Sequence, residues 1–145
     1  MKHIAISCDH AGFNLKERVK QELISKGYQL NDLGPTTADR IDYPDAIHPL
    51  AKAINEGEFE LGIIICGSGN GVAMTANKYV NVRAGLSWTP EIAELTRLHN
   101  DANILALPAR FITEETALEC VAKFLNTEFE GGRHATRVDK ISISC

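Results

Sequence analysis

The segment LGIIICGSGNG at residues 61–71 joins the most apolar run of the chain to a loop with three glycines in five residues. The unbroken isoleucines at 63–65 predict a strand that is buried on both faces, as in a parallel sheet. Glycines directly after such a strand let the backbone approach a ligand closely and turn several N–H groups towards one point. The segment therefore predicts a central strand that ends in an anion-binding loop. The alternative is an ordinary tight turn from strand to helix, which usually needs one glycine rather than three.

Short apolar runs and longer amphipathic runs alternate on both sides of this segment. The pattern predicts strands at 3–8, 28–33, 61–66, 82–86 and 103–107. It predicts helices at 13–26, 71–78, from Pro90 to about 99 and after Thr113, with a short helix or tail at 133–143. Pro49 interrupts a further helical pattern, so that helix is expected to begin later than Asp45. Strand–helix alternation of this kind indicates an α/β fold with a parallel sheet and helices on both faces.

Length and composition exclude several classes of protein. The 145 residues fit a single domain, and the net charge of −4 does not favour a nucleic-acid partner. No run approaches the roughly 20 apolar residues of a membrane span, and the apolar start of the chain is too short for a signal peptide. We therefore expect a protein of the cytoplasm with no membrane or nucleic-acid partner.

The four cysteines, Cys8, Cys66, Cys120 and Cys145, form no C-x-x-C pair and lack the spacing of a zinc site or a disulfide scaffold. We expect reduced and mostly buried thiols. Cys66 differs because it lies where the central strand meets the glycine loop, and nearby N–H groups stabilise a thiolate. It is a candidate base or nucleophile, and an ordinary core cysteine is the equally open alternative.

Polar residues at other strand ends are further candidates. Asp9 and His10 follow the first strand directly, so they adjoin the glycine loop if the first and third strands are neighbours. A carboxylate and an imidazole there suit acid–base chemistry or binding of hydroxyl groups, whereas a solvated turn is the alternative. Arg110 follows the fifth strand and is a further ligand candidate.

Two more candidates lie near helix ends. His99 is at the predicted end of a helix, where the helix dipole favours the protonated imidazole, so it is a candidate general acid or simply a terminating residue. Arg133 and Arg137 are four residues apart on one predicted helical face, with His134 beside them. They are typical of a phosphate clamp, or of a solvated basic face. The histidine, cysteine and acidic residues show no metal-ligand spacing along the chain.

Taken together, the motifs resemble the ribose-5-phosphate isomerase B family, which also includes allose-6-phosphate and galactose-6-phosphate isomerases. The resemblance covers essentially the whole chain. It rests on five motifs in the same order, which are CDHAG at 8–12, DYP at 42–44, CGSGNG at 66–71 with ANK at 76–78, HNDAN at 99–103, and GGRH at 131–134 with Arg137.

The resemblance implies a Rossmann-like three-layer α/β/α sandwich with a five-stranded parallel sheet. It implies a homodimer or tetramer whose active sites use residues of both subunits, a sugar-phosphate substrate, and no cofactor or metal. The implied reaction is aldose–ketose isomerisation of ribose 5-phosphate to ribulose 5-phosphate through an enediolate.

The resemblance also implies roles for individual residues. Cys66 matches the base that carries the proton, and Asp9 and His99 match residues that open the furanose ring. The residues that match substrate-binding positions are His10, Tyr43, Gly67, Ser68, Gly69, Asn70, Gly71, Asn100, Arg110, Arg133 and Arg137.

Three alternatives remain open at this stage. The substrate could be a hexose phosphate such as allose 6-phosphate, the chain could hydrolyse an acyl substrate through a Cys66 nucleophile, or it could only bind a sugar phosphate. Some family members replace the cysteine by a glutamate after the glycines. Here that stretch is Asn70-Gly71-Val72, so Cys66 is the only one of the two bases present. The two-chain galactose-6-phosphate branch, which lacks this cysteine, fits less well.

Overall fold

A computed structural model describes residues 2–143 of the chain, which form five strands and six helices. The strands are β1 His3–Cys8, β2 Gln29–Asp32, β3 Leu61–Cys66, β4 Ala84–Leu86 and β5 Ile104–Pro108. The helices are α1 Phe13–Ser25, α2 Tyr43–Asn55, α3 Asn70–Ala76, α4 Pro90–Leu98, α5 Glu114–Asn126 and α6 Arg133–Asp139.

The strands form one parallel sheet in the order β2-β1-β3-β5-β4. Side chains alternate between its two faces, as the twofold periodicity of a strand requires. Ile63 and Ile65 belong to a core with α1, α4 and α5, whereas Ile64 and Cys66 belong to a second core with α2 and α3. The prediction of a three-layer sandwich with helices on both faces is confirmed.

The predicted start of α2 was wrong. The helix begins at Tyr43, before Asp45, and Pro49 lies inside it. Pro49 is exposed, so its ring faces solvent, while Ile47 and Leu50 on either side are fully buried against the sheet. Burial of this apolar face offsets the hydrogen bond that proline removes from the helix.

The hydrogen-bond ladder of the sheet continues beyond the ends of three neighbouring strands. The Asp9 N–H donates to the Ile65 carbonyl at 3.1 Å, and the Ala109 N–H donates to the Cys66 carbonyl at 2.9 Å. The loops after β1, β3 and β5 are thereby held side by side at the carboxyl edge of the sheet. This is the edge at which ligands bind in open α/β sheets.

A buried ion pair ties α1 to the end of β2. Lys16 is fully buried, and its Nζ lies 2.7 Å from both Asp32 Oδ2 and the Pro35 carbonyl. Lys20 donates to the same carboxylate oxygen at 2.7 Å. Burial disfavours the charged form of Asp32, but the hydrogen bonds from Lys16 and Lys20 outweigh burial and lower the pKa of the Asp32 carboxyl.

Within residues 2–143, no helix combines the length and apolar character that crossing a bilayer requires, and the longest have 13 residues.

The Asp32→Asn variant tests the ion pair. It removes the closer carboxylate of the buried Lys16 ammonium and leaves only Glu17 Oε1 at 3.6 Å, so we expect the free energy of unfolding in urea at pH 7 to fall by about 3 kcal/mol. The lowered pKa of Asp32 means that its contribution is present above the unfolded-state value of 3.8 and is lost as the pH falls through the folded-state value. Unfolding between pH 5 and pH 2 should therefore show a weaker pH dependence in Asp32→Asn than in wild type.

Glu22→Gln is the matched control, because it removes a carboxylate that pairs with Arg18 and Lys26 on the surface of α1. The control should unfold close to wild type. Equal loss of stability in both variants would contradict a special role for the Lys16–Asp32 pair.

Candidate active site

Cys66 is the last residue of β3 and has 5% of its surface exposed. Its Sγ accepts a hydrogen bond from the Gly69 N–H at 3.1 Å. Gly69 has a φ of 76°, and a Cβ at this position would collide with Cδ1 of Leu86, so only glycine fits this turn without strain. The turn places a backbone N–H donor against the sulfur.

The rest of the glycine loop presents backbone donors. Asn70 N–H donates to Ser68 Oγ at 3.3 Å at the start of α3. Gly71 and Val72 lie in the first turn of this helix, where N–H groups have no acceptor within the helix. The loop can therefore stabilise negative charge that develops on a ligand oxygen near Cys66.

Asp9 lies next to this loop, as the sequence predicted for neighbouring first and third strands. β1 and β3 pair up to Cys8 and Ile65, so Asp9 is opposite Cys66. The carboxylate is 7% exposed, and its Oδ1 accepts a hydrogen bond from the Gly12 N–H at 3.0 Å. This bond fixes the carboxylate while leaving Oδ2 available to a ligand.

Two side chains cover the loop. The Tyr43 ring packs directly against Gly71, so closely that a Cβ built on Gly71 would lie 2.7 Å from Tyr43 Cζ. The Arg110 side chain lies against Gly67, where an added Cβ would be 3.2 Å from Arg110 Cδ. A phenol and a guanidinium thus border the glycine loop on two sides, at positions where they can contact a sugar phosphate.

His10 borders the site from the segment that precedes α2. Its Nδ1 lies 3.4 Å from the Ile41 nitrogen and 3.3 Å from the Ile41 carbonyl oxygen, and the tautomer of the ring sets which of the two it bonds. These contacts connect the loop after β1 to the segment that carries Tyr43.

The remaining predicted site residues lie at the opposite edge of the sheet. His99 directly follows α4, and together with Asn100, His134 and Arg137 it lines an open cavity of about 340 Å³. Arg133 is the first residue of α6. The HNDAN segment precedes β5, whereas Cys66 pairs with Pro108 at the end of β5. Five strand residues span about 16 Å, so a single chain does not bring His99 to Cys66.

The cavity contains a cluster that the spacing along the chain did not predict. The rings of His99 and His134 stack with centroids 4.2 Å apart and planes at 15°. Their Nε2 atoms lie 3.8 and 3.9 Å from Glu130 Oε2, and the ligand atoms of the three residues lie within 4.8 Å of one another. These are zinc-ligand types, but a ring must rotate before both nitrogens point at one ion, because in-plane lone pairs of stacked rings do not converge.

Several positive groups surround His134. Burial is the largest cause that lowers the pKa of His134, and the charges of His99, Arg133 and Arg137 act in the same direction, whereas the Glu130 carboxylate acts against them. His134 Nε2 is buried and has no hydrogen-bond partner among the described residues. A phosphate oxygen would satisfy this nitrogen and pair with the arginines.

Comparisons with known proteins place the whole chain in one family. The family model described as Ribose/Galactose Isomerase matches residues 4–141. The ribose-5-phosphate isomerase B of Escherichia coli (strain K12) is 41% identical over 142 residues, which are 98% of this chain and 95% of the relative.

Solved structures are similar over nearly the whole fold. A ribose 5-phosphate isomerase from Thermotoga maritima matches with a TM-score of 0.95 and 45% identity, covering 97% of each chain. The ribose-5-phosphate isomerase B of Mycoplasma genitalium, solved with bound ribulose 5-phosphate, matches with a TM-score of 0.93 and 42% identity, covering 96% of this chain and 93% of that one.

The other described cysteines have different surroundings. Burial raises the pKa of the Cys8 thiol to about 12 and that of the Cys120 thiol to about 11. Both lie in the core formed with α1, α4 and α5, as expected for structural thiols. Cys145 lies outside the described residues.

Alkylation of the native protein tests this difference. Burial holds the pKa of the Cys8 and Cys120 thiols well above pH 8, whereas the Cys66 Sγ lies against the Gly69 N–H beside the glycine loop. We expect iodoacetamide to modify Cys66 well before Cys8 or Cys120, as measured by mass spectrometry of the three peptides over time. Denatured protein, in which all three thiols should react, is the control. Modification of Cys8 as fast as Cys66 in the native protein would overturn the assignment.

Proposed function

The chain belongs to the ribose/galactose isomerase family, and on that premise we propose that it interconverts ribose 5-phosphate and ribulose 5-phosphate with Cys66 as the base. The observation that carries the proposal is the Cys66 thiol in contact with the Gly69 N–H at the start of a loop of backbone donors. A base and an oxyanion-stabilising loop side by side are what proton transfer next to a carbonyl requires.

Proton transfer proceeds at adjacent carbons of the open-chain sugar. The Cys66 thiolate removes the proton from C2, and the C2–H electron pair forms the C1–C2 double bond while negative charge moves to O1. Backbone N–H groups of the glycine loop stabilise this enediolate. A proton then moves from O2 to O1, and the Cys66 thiol returns its proton to C1, which leaves the ketone at C2 and regenerates the thiolate.

Ring opening precedes this step because ribose 5-phosphate exists mainly as a furanose. The C1 hydroxyl must lose a proton and the ring oxygen must gain one when the C1–O4 bond breaks. The fixed Asp9 carboxylate, with one free oxygen, suits proton removal. His99, which is partly exposed at a helix end, suits proton donation to the ring oxygen.

The complete site, in this proposal, combines two subunits of a homodimer, which could pair further into a tetramer. Cys66 and Asp9 of one subunit would face His99, Asn100, Arg133 and Arg137 of the partner subunit, with the arginines at the phosphate. Exposed apolar residues support an interface at this edge, because Trp88 and Phe111, which follow β4 and β5, are 53% and 74% exposed. Large aromatic residues are enriched in protein interfaces.

The first experiment follows ribose 5-phosphate in D₂O by NMR with purified protein. We expect ribulose 5-phosphate to form and solvent deuterium to enter at C1 of the ketose and C2 of the aldose, because a single thiol exchanges its proton with solvent. Cys66→Ala should lose at least about a thousandfold in kcat, since it removes the base of the chemical step.

Asp139→Asn, in which the exposed acidic residue at the end of α6 is replaced, is the control and should retain wild-type turnover. Undiminished activity in Cys66→Ala would contradict the assignment of the base. Binding of ribose 5-phosphate without any turnover in wild type would contradict the isomerase and favour a sugar-phosphate sensor.

Subunit complementation tests the shared site. Cys66→Ala and His99→Asn should each be inactive on ribose 5-phosphate, because each lacks one half of the site. After mixing, unfolding and refolding in equal amounts, half of the dimers are mixed and each holds one intact site, so about a quarter of wild-type activity should return.

His99→Asn mixed in the same way with wild-type protein provides the reference for refolding yield. Activity of the two-variant mixture that stays at the sum of the separate variants would show that Cys66 and His99 of different subunits do not share a site.

A further inference from the structure

Asp101 has an unusual backbone conformation directly after His99 and Asn100. Within residues 2–143 it is the one non-glycine residue with a positive φ, at 46°. The Asp101 N–H donates to the Arg97 carbonyl at 3.2 Å, and the Ala102 N–H donates to the Thr96 carbonyl at 3.0 Å. These bonds close the end of α4 in the manner of a left-handed helix cap, a position that glycine normally occupies.

A glycine would satisfy the helix end, so the aspartate side chain needs another explanation. Its carboxylate lies between two arginines. Arg97 Nη1 donates to Oδ1 at 2.9 Å, and Arg83 Nη2 donates to Oδ2 at 3.3 Å. Arg83 also donates to the Asp101 carbonyl, from Nε at 3.1 Å and from Nη2 at 2.9 Å. Arginines thus bind both the side chain and the backbone carbonyl of Asp101.

The two arginines are themselves anchored. Arg97 is buried, with Nη1 donating to the Ala102 carbonyl at 2.7 Å and Nε donating to the Thr127 carbonyl at 3.2 Å. The Arg83 N–H donates to Asn103 Oδ1 at 2.8 Å. Asp101 therefore connects the end of α4 to the start of β4 and to the chain beyond α5.

The residues before Asp101 depend on this anchor. Arg83 Nε donates to the Asn100 carbonyl at 3.2 Å, and the side chains of His99 and Asn100 line the cavity at this edge of the sheet. Both are outside the regular part of α4, so their direction is set by the turn that Asp101 completes. A backbone conformation this costly persists where surrounding contacts hold it, and such residues concentrate at functional sites.

We propose that Asp101 is a positioning residue, which through its pairs with Arg83 and Arg97 directs His99 and Asn100 towards the substrate bound at the partner's Cys66. The inference rests on the proposed function. It assigns Asp101 no contact with the sugar phosphate, and it predicts that loss of the side-chain contacts to both Arg83 and Arg97 harms ring opening more than proton transfer.

The two directions of the reaction separate these steps. Ribulose 5-phosphate carries its ketone at C2 and a phosphate on O5, so it cannot close a five-membered ring and enters the site in open form. Isomerisation that starts from ribulose 5-phosphate therefore needs no enzymatic ring opening, whereas isomerisation that starts from ribose 5-phosphate does.

The test compares kcat at saturating substrate in both directions for Asp101→Asn, Asp101→Gly and Asp101→Ala, because the reaction's equilibrium constant fixes the ratio of the two kcat/KM values in every variant. Asparagine tolerates a positive φ and keeps an acceptor for Arg97, so its rates should stay within about threefold of wild type. Asp101→Gly can adopt the positive φ but loses the contacts to both arginines. Asp101→Ala loses the same contacts and also disfavours the positive φ. We expect the rate from ribose 5-phosphate to fall about tenfold to a hundredfold, most in alanine, with a clearly smaller fall from ribulose 5-phosphate.

Lys123→Ala is the matched control, because it removes an exposed ion pair between α5 and Glu94 of α4 and should leave both rates unchanged. Equal falls in both directions, or a rate ratio in Asp101→Gly equal to that of wild type, would overturn the positioning role. If Asp101→Ala does not fold, the comparison of asparagine with glycine decides. Absence of isomerisation in wild type would instead contradict the proposed function itself.

Discussion

The candidate site depends on the hydrogen bonds that extend the parallel sheet past the ends of its strands. Asp9 donates to the Ile65 carbonyl, and Ala109 donates to the Cys66 carbonyl. Because these bonds join main-chain atoms of three neighbouring loops, the loops cannot move independently. The thiol of Cys66, the carboxylate of Asp9 and the loop that precedes Arg110 therefore keep fixed distances with little help from side-chain contacts. A preorganised site of this kind needs no reorganisation when charge develops on the substrate.

The opposite edge of the chain is organised differently. The polar residues of this edge do not extend from the end of a strand. His99 and Asn100 lie in the turn between α4 and β5. Helix α6 follows two consecutive glycines with positive φ, Gly131 and Gly132. Besides backbone bonds such as that from the Glu130 N–H to the Leu98 carbonyl at 3.1 Å, the side-chain pairs of Asp101 with Arg83 and Arg97 hold this edge together. One half of the site is thus built by the backbone ladder of a sheet, and the other by charged hydrogen bonds at a helix end.

Local patterns were sufficient to predict most of the fold and the adjacency of Asp9 to the loop that begins at Cys66. β1 and β3 were predicted with the observed bounds, since an apolar run followed by a change in polarity marks both ends of a strand. Asp9 was predicted to adjoin the glycine loop, because adjacent parallel strands end at the same edge. The start of α2 was predicted wrongly, since the penalty for Pro49 depends on whether its ring faces solvent, and sequence periodicity does not reveal how strongly burial of the opposite face compensates.

Contacts between distant parts of the chain were beyond prediction from local patterns. Nothing in residues 43 and 71 indicates that the Tyr43 ring covers Gly71, and only the family resemblance placed Tyr43 in the site. The cluster of His99 with Glu130 and His134 joins segments more than 30 residues apart. Nothing in the helical periodicity of residues 13–26 indicates that Lys16 is fully buried.

The separation of the two halves has a consequence for how the proposed chemistry is controlled. Proton transfer at carbon needs a base and oxyanion donors in rigid geometry, which the end of a parallel sheet supplies within one chain. Ring opening needs a proton donor and phosphate binding needs positive charge. His99 and Arg137, which suit these two roles, lie at the other edge of the fold. In a shared site, a chain without its partner would hold the base but lack the acid and the cationic phosphate site. Ring opening of ribose 5-phosphate next to the Cys66 thiol would then occur only in the assembled protein, where the second subunit also excludes water from the enediolate.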